Sequence, residues 1–164
     1  MKLLSILRHA KSSWSDSSLP DHDRPLNKRG LRDAPRMGDL IREKGLVPEA
    51  ILSSTALRAR DTALAVAAAT GFPDEVRFTR SLYGAGPDAY LDALSALPDD
   101  FEHALVVGHN PGLEELVARV VGAPHTMPTA ALAVVELPIE RWRELDSLPQ
   151  GSLRVLWRPR ELGE

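Results

Sequence analysis

Two histidines follow shortly after apolar runs that are typical of buried strands. His9 comes two residues after the run 3–7, and His109 comes two residues after the run 104–107. One ring nitrogen of a histidine can attack a phosphorus atom while the other is held by an acceptor that fixes the tautomer. A second histidine, when protonated, can neutralise the oxygens of a phosphoryl group in transfer. The pair therefore indicates phosphoryl-transfer chemistry.

Two arginines occupy similar places along the chain. Arg8 directly precedes His9, and Arg58 lies one turn beyond Ser53-Ser54, the end of a second apolar run. Arginine makes rigid bidentate contacts with phosphate. In open α/β sheets, ligands bind beyond the carboxyl ends of the strands, and helix N-termini there also favour anions. If the sheet is parallel at these strands, the side chains converge on one rim, and the predicted ligand is phosphate-like.

The elements that must position these residues alternate along the chain. Apolar runs predict strands at 3–7, 50–52, 76–78, 104–107, 131–137 and 153–157, and helical patterns cover 31–44, 56–70, 89–97 and 111–121. This alternation predicts an α/β fold, a three-layer α/β/α sandwich with a mostly parallel mixed sheet. The last two strands have no full helix between them and could form an antiparallel edge. Residues 12–25 are polar and form a long loop.

Local signals suggest where the helices begin. Either Asn27 or Asp33 could cap the first helix, and residues 53–55 supply capping side chains for the second. Asn110 can cap the last predicted helix. Gly112 would then leave the backbone open toward a ligand.

Length and composition limit the class of protein. A chain of 164 residues, 43% hydrophobic and 26% charged, fits one globular domain over residues 1–164. The lack of cysteine excludes disulfides, thiolate nucleophiles and cysteine-based metal sites. A net charge of −3 gives no reason to expect a nucleic-acid partner. The apolar runs are too short for a membrane span, and no signal-peptide pattern opens the chain, so we expect a cytoplasmic protein.

Three motifs carry a resemblance to a known family. The segments LRHAKS (7–12), SSTALRARDTA (53–63) and VGHNPG (107–112) resemble those of the histidine phosphatase superfamily, the phosphoglycerate mutase-like enzymes. Within it, the short chain, the RHAKS sequence and DHDRPLN (21–27) are similar to the phosphohistidine phosphatase branch called SixA. The resemblance runs in order from residue 3 to about residue 137. It implies a phosphoglycerate mutase-like fold, a single histidine phosphatase domain and no cofactor.

The resemblance also implies roles for individual residues. His9 would be the nucleophile that becomes transiently phosphorylated, and Arg8, Arg58 and His109 would hold the phosphoryl group. Many relatives supply a glutamate as general acid soon after the third strand, but residues 81–88 contain none, which leaves Asp88 as the candidate. Imidazole is a far better leaving group than an alkoxide, so a missing acid favours a substrate with an N–P bond.

Other polar residues lie near these motifs. The resemblance suggests that Asp23 and Arg24 order the 12–25 loop against the site. Lys11 could either reach a phosphate or be solvated. Residues 21–23 have the ligand types of a metal site, but three consecutive residues rarely face one ion, and we expect no metal.

Some residues are expected to have purely structural roles. His103 and His125 are predicted to lie at the surface, and Arg60 to form a surface ion pair. Trp14, in the polar loop, could contact a partner or serve as a local hydrophobic anchor, and we favour the anchor.

These observations support one leading hypothesis and two alternatives. The first is a metal-independent phosphatase that acts on phosphohistidine in a partner protein, because the short loops leave little chain to enclose a metabolite. The second is a phosphatase or mutase of small phosphoesters. The third is a non-catalytic module that binds phosphorylated partners, and the two histidines argue against it because a binder needs no nucleophile. No membrane partner is expected.

Overall fold

The computed structural model describes residues 1–147 and 151–162, and within them six strands form one mixed sheet in the order β3-β2-β4-β1-β5-β6. The strands are β1 (Lys2–Arg8), β2 (Ala50–Ser54), β3 (Arg77–Thr79), β4 (His103–Gly108), β5 (Leu132–Leu137) and β6 (Ser152–Trp157). The first four are parallel to one another, whereas β5 runs antiparallel to β1 and β6 antiparallel to β5. The prediction of a mostly parallel sheet with an antiparallel edge is confirmed.

Helices cover both faces of the sheet. They are α1 (Lys28–Glu43), α2 (Leu57–Thr70), α3 (Pro87–Ser95) and α4 (Gly112–Val121), with short 3₁₀ helices at Asp21–Asp23, Arg80–Leu82, Trp142–Ser147 and Pro159–Glu161. The helices α1 and α2 pack together on one face, and α3, α4 and the 3₁₀ helix Trp142–Ser147 pack on the other. The predicted three-layer architecture is therefore confirmed. Within the described residues, none of the helices is long and apolar enough to span a bilayer.

The central strand β4 shows why the apolar runs are continuous. Leu105 and Val107 pack into the core under α1 and α2, whereas Ala104 and Val106 pack into the core under α3 and α4. Every position of this strand is buried. A strand covered on both faces has no polar side to show in its sequence.

The first helix begins earlier than the sequence pattern suggested. The side chain of Asn27 accepts a hydrogen bond from the backbone N–H of Gly30 at 2.9 Å, and α1 starts at Lys28. Asp33 is therefore not the cap; its buried carboxylate pairs with two arginines of the same helix. Pro35 lies inside the helix.

The other predicted caps are wrong. Ser54 belongs to β2, and α2 is preceded by Ala56, which has no side-chain cap bond. Asn110 does not cap α4 either, because its amide nitrogen donates to the carbonyl of Met127 at 2.9 Å and Pro111 occupies the capping position. These polar side chains are thus directed to other partners beyond the strand ends.

His103 does not lie at the surface as predicted. It is 8% exposed, and its Nε2 lies 2.7 Å from the Oγ of Ser5 on the neighbouring strand β1. Burial lowers the pKa of His103 to about 4. The sequence pattern missed this because a histidine at the start of a strand is buried or exposed according to what packs around it.

Candidate active site

The carboxyl ends of three neighbouring strands bring the predicted site residues together. Arg8 pairs in register with Gly108 across β1 and β4, so the histidines that follow them stand side by side. The ring centroids of His9 and His109 are 5.1 Å apart. Arg58, in the first turn of α2, is 6% exposed and close enough to act electrostatically on both rings.

His9 is held in one tautomer by its own backbone neighbour. Its Nδ1 lies 2.7 Å from the carbonyl oxygen of Ala10, and since a carbonyl only accepts, Nδ1 carries the proton. The lone pair is therefore on Nε2. Burial lowers the pKa of His9 to about 3, against the opposing effect of the Ala10 carbonyl. The ring is neutral near neutral pH, which is the state a nucleophilic imidazole requires.

His109 is held by contacts at both its backbone and its ring. Its Nε2 lies 2.8 Å from the Oγ of Ser54, and its backbone N–H donates to the hydroxyl of Tyr90 at 3.1 Å. Burial, and next the charge of Arg58, lower the pKa of His109 to about 4. His109 is therefore neutral near neutral pH, whereas the neutralisation of phosphoryl oxygens by a second histidine requires its protonated form. A phosphoryl dianion beside the ring would raise its pKa.

Unsatisfied polar atoms concentrate at this end of the sheet. Among the described residues, five buried side-chain nitrogen or oxygen atoms have no hydrogen-bond partner, and four of them belong to Arg8, Arg58, His109 and Asn110. Buried polar groups are normally paired, so such a cluster needs an explanation. An oxyanion would supply acceptors for the two guanidinium groups. The arrangement is therefore suited to binding a tetrahedral anion.

Asp21 is a site residue that the sequence analysis missed. Arg58 donates to its backbone carbonyl at 2.7 Å and to its carboxylate at 3.0 Å. Tyr83 and Arg24 donate to the same carboxylate, at 2.7 and 3.1 Å. The Tyr83 hydroxyl, and then Arg58, hold the pKa of Asp21 well below its usual range, so it is ionised. The DHDRPLN segment was a signal for this loop, but the motif did not show that Asp21 reaches α2.

Tyr83 was also missed, although it lies in the 81–88 segment searched for a general acid. Its ring meets the rings of His109 and His22 edge-on, with centroids 5.7 and 4.9 Å apart. The hydrogen bond to Asp21 raises the pKa of Tyr83. His22 in turn lies 2.9 Å from the Oγ1 of Thr55 through its Nε2. These rings form one wall of the site.

Arg24 ties the 12–25 loop together. Its guanidinium donates to the hydroxyl of Ser12 at 2.8 Å and to the carbonyl of Ser13 at 3.2 Å. The same group lies 3.4 Å from the ring centroid of Trp14. Trp14 is 71% exposed, so the prediction that it is a local hydrophobic anchor is wrong. Its ring instead covers the buried Arg24.

Three other predicted residues lie outside the histidine–arginine cluster. Asp88 is exposed and pairs with Arg119 of α4. Asp23 contacts His22, with 3.1 Å between its Oδ1 and the ring Nδ1. Lys11 is half-buried, and its ammonium makes no hydrogen bond or ion pair with any residue that the structure describes. No group of three or more histidine, aspartate or glutamate side chains in that part of the chain could hold a metal ion.

Two glycines allow α3 and the loop before it to approach the site. A Cβ at Gly108 would lie 2.1 Å from the hydroxyl of Tyr90, and one at Gly112 would lie 2.1 Å from the carbonyl oxygen of Ala85. Gly112 is therefore closed off by the backbone of Ala85 and not open to a ligand, contrary to the prediction. Gly108 lets Tyr90 reach the backbone of His109.

Known proteins resemble this chain in both sequence and fold. The sequence pattern of the histidine phosphatase superfamily (branch 1) matches residues 4–82. An uncharacterized chloroplastic protein of Arabidopsis thaliana is 35% identical over 88% of this chain and 71% of its own. An uncharacterized protein of Mycobacterium leprae is 32% identical over 94% of this chain and 100% of its own.

Solved structures of SixA proteins share the fold of this chain. The SixA protein of Agrobacterium tumefaciens has a TM-score of 0.83 and 28% identity, covering 96% of this chain and 98% of its own. The protein histidine phosphatase SixA in complex with tungstate has a TM-score of 0.81 and 25% identity, covering 98% and 99%. Since the sequence relatives exceed 30% identity over most of both chains and the fold matches SixA throughout, this chain is a phosphatase of the histidine phosphatase superfamily, in its SixA-type branch.

Proposed function

We propose that this phosphatase acts on phosphohistidine in a partner protein, through a phosphohistidine intermediate at His9. The observation that carries the proposal is the state of His9. Its imidazole is neutral, its Nδ1 is bonded to the Ala10 carbonyl, and its Nε2 is left for attack beside the arginines and His109. Arg8 and Arg58 would bind the phosphoryl oxygens while the P–N bond of the substrate breaks and a P–N bond to His9 forms.

The reaction takes two displacements. In the first, Nε2 of His9 forms a bond to phosphorus while the bond from phosphorus to the substrate imidazole breaks. The leaving nitrogen keeps the electron pair, and the imidazole departs neutral when its other nitrogen carries a proton. In the second, water attacks phosphorus, the bond to His9 breaks, and inorganic phosphate leaves. The proton lost by the water passes to phosphate or solvent, and His9 returns to its neutral tautomer.

The carboxylates around the site favour a nitrogen leaving group over an alkoxide. Asp21 is ionised and bonded to Arg58, so it has no proton to donate. Glu114 accepts from the backbone N–H of Met127 at 2.7 Å, and Asp88 of α3 is paired with Arg119 of α4. An alkoxide leaving group needs an acid to protonate it, whereas imidazole does not depend on one to the same degree. SixA, described as a protein histidine phosphatase, has a similar fold and was solved with tungstate, a tetrahedral oxyanion.

The test compares substrates directly. A histidine-phosphorylated phosphotransfer domain, sugar phosphates and nucleoside monophosphates are offered at equal concentrations, and phosphate release is measured. We expect kcat/KM for the phosphoprotein to exceed that for the small esters by orders of magnitude. Faster turnover of the small esters by a similar margin would overturn the proposal and favour a small-molecule phosphatase or mutase.

The nucleophile is tested by His9→Ala. The variant is expected to lose turnover and to lose the acid-labile label that a phosphate donor leaves on the enzyme. His125→Ala, at a residue outside the cluster, is the matched control and retains both. Full turnover by the His9→Ala variant would exclude the covalent intermediate.

A further inference from the structure

Arginines cluster on the outer side of α1, away from the cluster of His9, His109, Arg8 and Arg58, which we call the phosphoryl site. Arg29, Arg32 and Arg36 of α1, with Arg160 of the C-terminal 3₁₀ helix, line a cavity of about 890 Å³. We call these four residues the arginine groove. Such a concentration of cations stands out on a chain whose net charge is −3.

The carboxylates that line the same cavity are already engaged. Asp33 is 1% exposed and lies 3.6 Å from Nε of Arg29 and 3.1 Å from Nε of Arg32. Asp39 lies 3.4 Å from a guanidinium nitrogen of Arg42. Because the buried carboxylate shares its charge between two guanidinium groups, the exposed surface of the groove is cationic. The side chains of Arg29 and Arg32 remain 45% and 67% exposed.

The arginine groove is connected to the phosphoryl site through Arg160. The same side chain lines a second cavity, of about 400 Å³, whose wall includes Arg8 and Asn110. Arg158 lies on this second wall, where it donates to the carbonyl of Thr126 at 3.1 and 3.2 Å. Glu114 lines the same cavity and Arg158 pairs with Glu161 at 3.3 Å, so Arg160 is the cation shared by the two cavities, and it joins the arginine groove to the cavity beside Arg8.

We propose that the arginine groove binds an acidic segment of the phosphorylated partner protein while its phosphohistidine occupies the site at His9. This inference rests on the proposed function. An extended partner fits better than a small ligand, because small-molecule sites bury most of their ligand whereas three of the four groove arginines, Arg29, Arg32 and Arg160, are exposed. Complementary charge of this kind speeds encounter and selects partners.

The test uses two peptides and two double variants. One peptide carries phosphohistidine flanked on each side by four glutamates, and the other has glutamines in their place. The groove variant is Arg32→Gln with Arg160→Gln, which leaves Arg29 to pair with the buried Asp33. The control variant is Arg141→Gln with Arg143→Gln, two exposed arginines near the amino end of β1.

The readout is the ratio of kcat/KM for the glutamate peptide to that for the glutamine peptide at low ionic strength. We expect a ratio well above one in the native protein, and a fall of about threefold to tenfold in the groove variant, as for exposed ion pairs. The control variant should keep the native ratio. Equal turnover of both peptides by the native protein, or an equal loss in the control variant, would overturn the proposal.

Binding of the unphosphorylated glutamate peptide, followed by fluorescence anisotropy, separates this proposal from the proposed function. Binding that weakens in the groove variant supports docking even if phosphohistidine is not turned over. Turnover without any preference for glutamate supports the proposed function and rejects docking. Single-stranded DNA of the same charge is added as a competitor. If it displaces the labelled peptide as well as unlabelled peptide does, the groove binds polyanions in general, and the proposal of a protein partner is rejected.

Discussion

Asp21 binds both terminal nitrogens of Arg58, one through its backbone carbonyl at 2.7 Å and the other through its carboxylate at 3.0 Å. The guanidinium that is expected to hold a phosphoryl group is thus bonded to an ionised side chain of the 12–25 loop. An incoming anion must share Arg58 with Asp21 or displace it. The carboxylate both aims Arg58 and opposes the charge of the ligand.

Asp21→Asn should tighten the binding of oxyanions. The amide still offers an oxygen to Arg58, but it carries no negative charge. The repulsion between the Asp21 carboxylate and a bound anion, roughly 1 kcal/mol for groups near the surface, is therefore removed. We expect the inhibition constant of tungstate to fall about fivefold. Asp23→Asn, which changes an exposed neighbour bonded to His22, is the control and should leave it unchanged. Weaker inhibition of the Asp21→Asn variant would show that aiming Arg58 outweighs the repulsion.

Ser54→Ala should slow catalysis by releasing His109. The hydroxyl of Ser54 is bonded to Nε2 of His109 at 2.8 Å and accepts the backbone N–H of Ala56 at 3.2 Å, so its loss leaves a buried ring nitrogen and the start of α2 without that partner. We expect kcat to fall about tenfold, measured with a histidine-phosphorylated substrate. Ser53→Ala removes a buried hydroxyl that donates to the Ser54 carbonyl, so it serves as the matched control. Equal effects of the two substitutions would remove the case for Ser54 as a positioning residue.

Gly108→Ala should both destabilise the protein and impair the site. The added methyl would lie 2.1 Å from the hydroxyl of Tyr90, which accepts the backbone N–H of His109. Overpacking of this kind costs about 1–3 kcal/mol in the free energy of unfolding, measurable with urea. Gly86 has open space around it and a φ of −86°, so Gly86→Ala should cost less than about 1 kcal/mol. A stable, fully active Gly108→Ala variant would contradict the packing argument.

Burial of neutral histidines makes stability depend on pH. The pKa of His103 is lowered by burial from 6.5 to about 4, so as the pH falls the unfolded chain binds this proton first. The contribution of neutral His103 to the free energy of unfolding is present above pH 6.5 and is lost as the pH falls toward 4. His103→Gln should reduce the difference in unfolding free energy between pH 7 and pH 4.5 by about 2–3 kcal/mol.

The measurement is urea denaturation of native protein and variant at the two pH values. His125→Gln is the control, because His125 is only partly buried, and it should leave the difference unchanged. His9 and His109 have pKa values lowered in the same direction, to about 3 and about 4, so a residual dependence on pH remains in the variant. An unaltered pH dependence in His103→Gln would show that this histidine is not buried as described.

The order of elements and the meeting of His9, His109, Arg8 and Arg58 followed from the sequence alone. Continuous apolar runs marked strands covered on both faces, and parallel strands bring their carboxyl ends to one edge. Residues placed directly after such strands, or one turn into the next helix, must then approach one another. The tautomer of His9 also needed only its neighbour Ala10, a local contact.

Only the tertiary structure decided how these groups are charged and held. Asp21 lies 37 residues before Arg58 in the chain, and Ser54 lies 55 residues before His109, so no local pattern records either bond. The neutral state of His109 arises from desolvation by everything that packs around it. Chain order determined which chemical groups meet at the sheet edge; long-range packing, which sets burial and partners, determined their protonation and the role of Asp21.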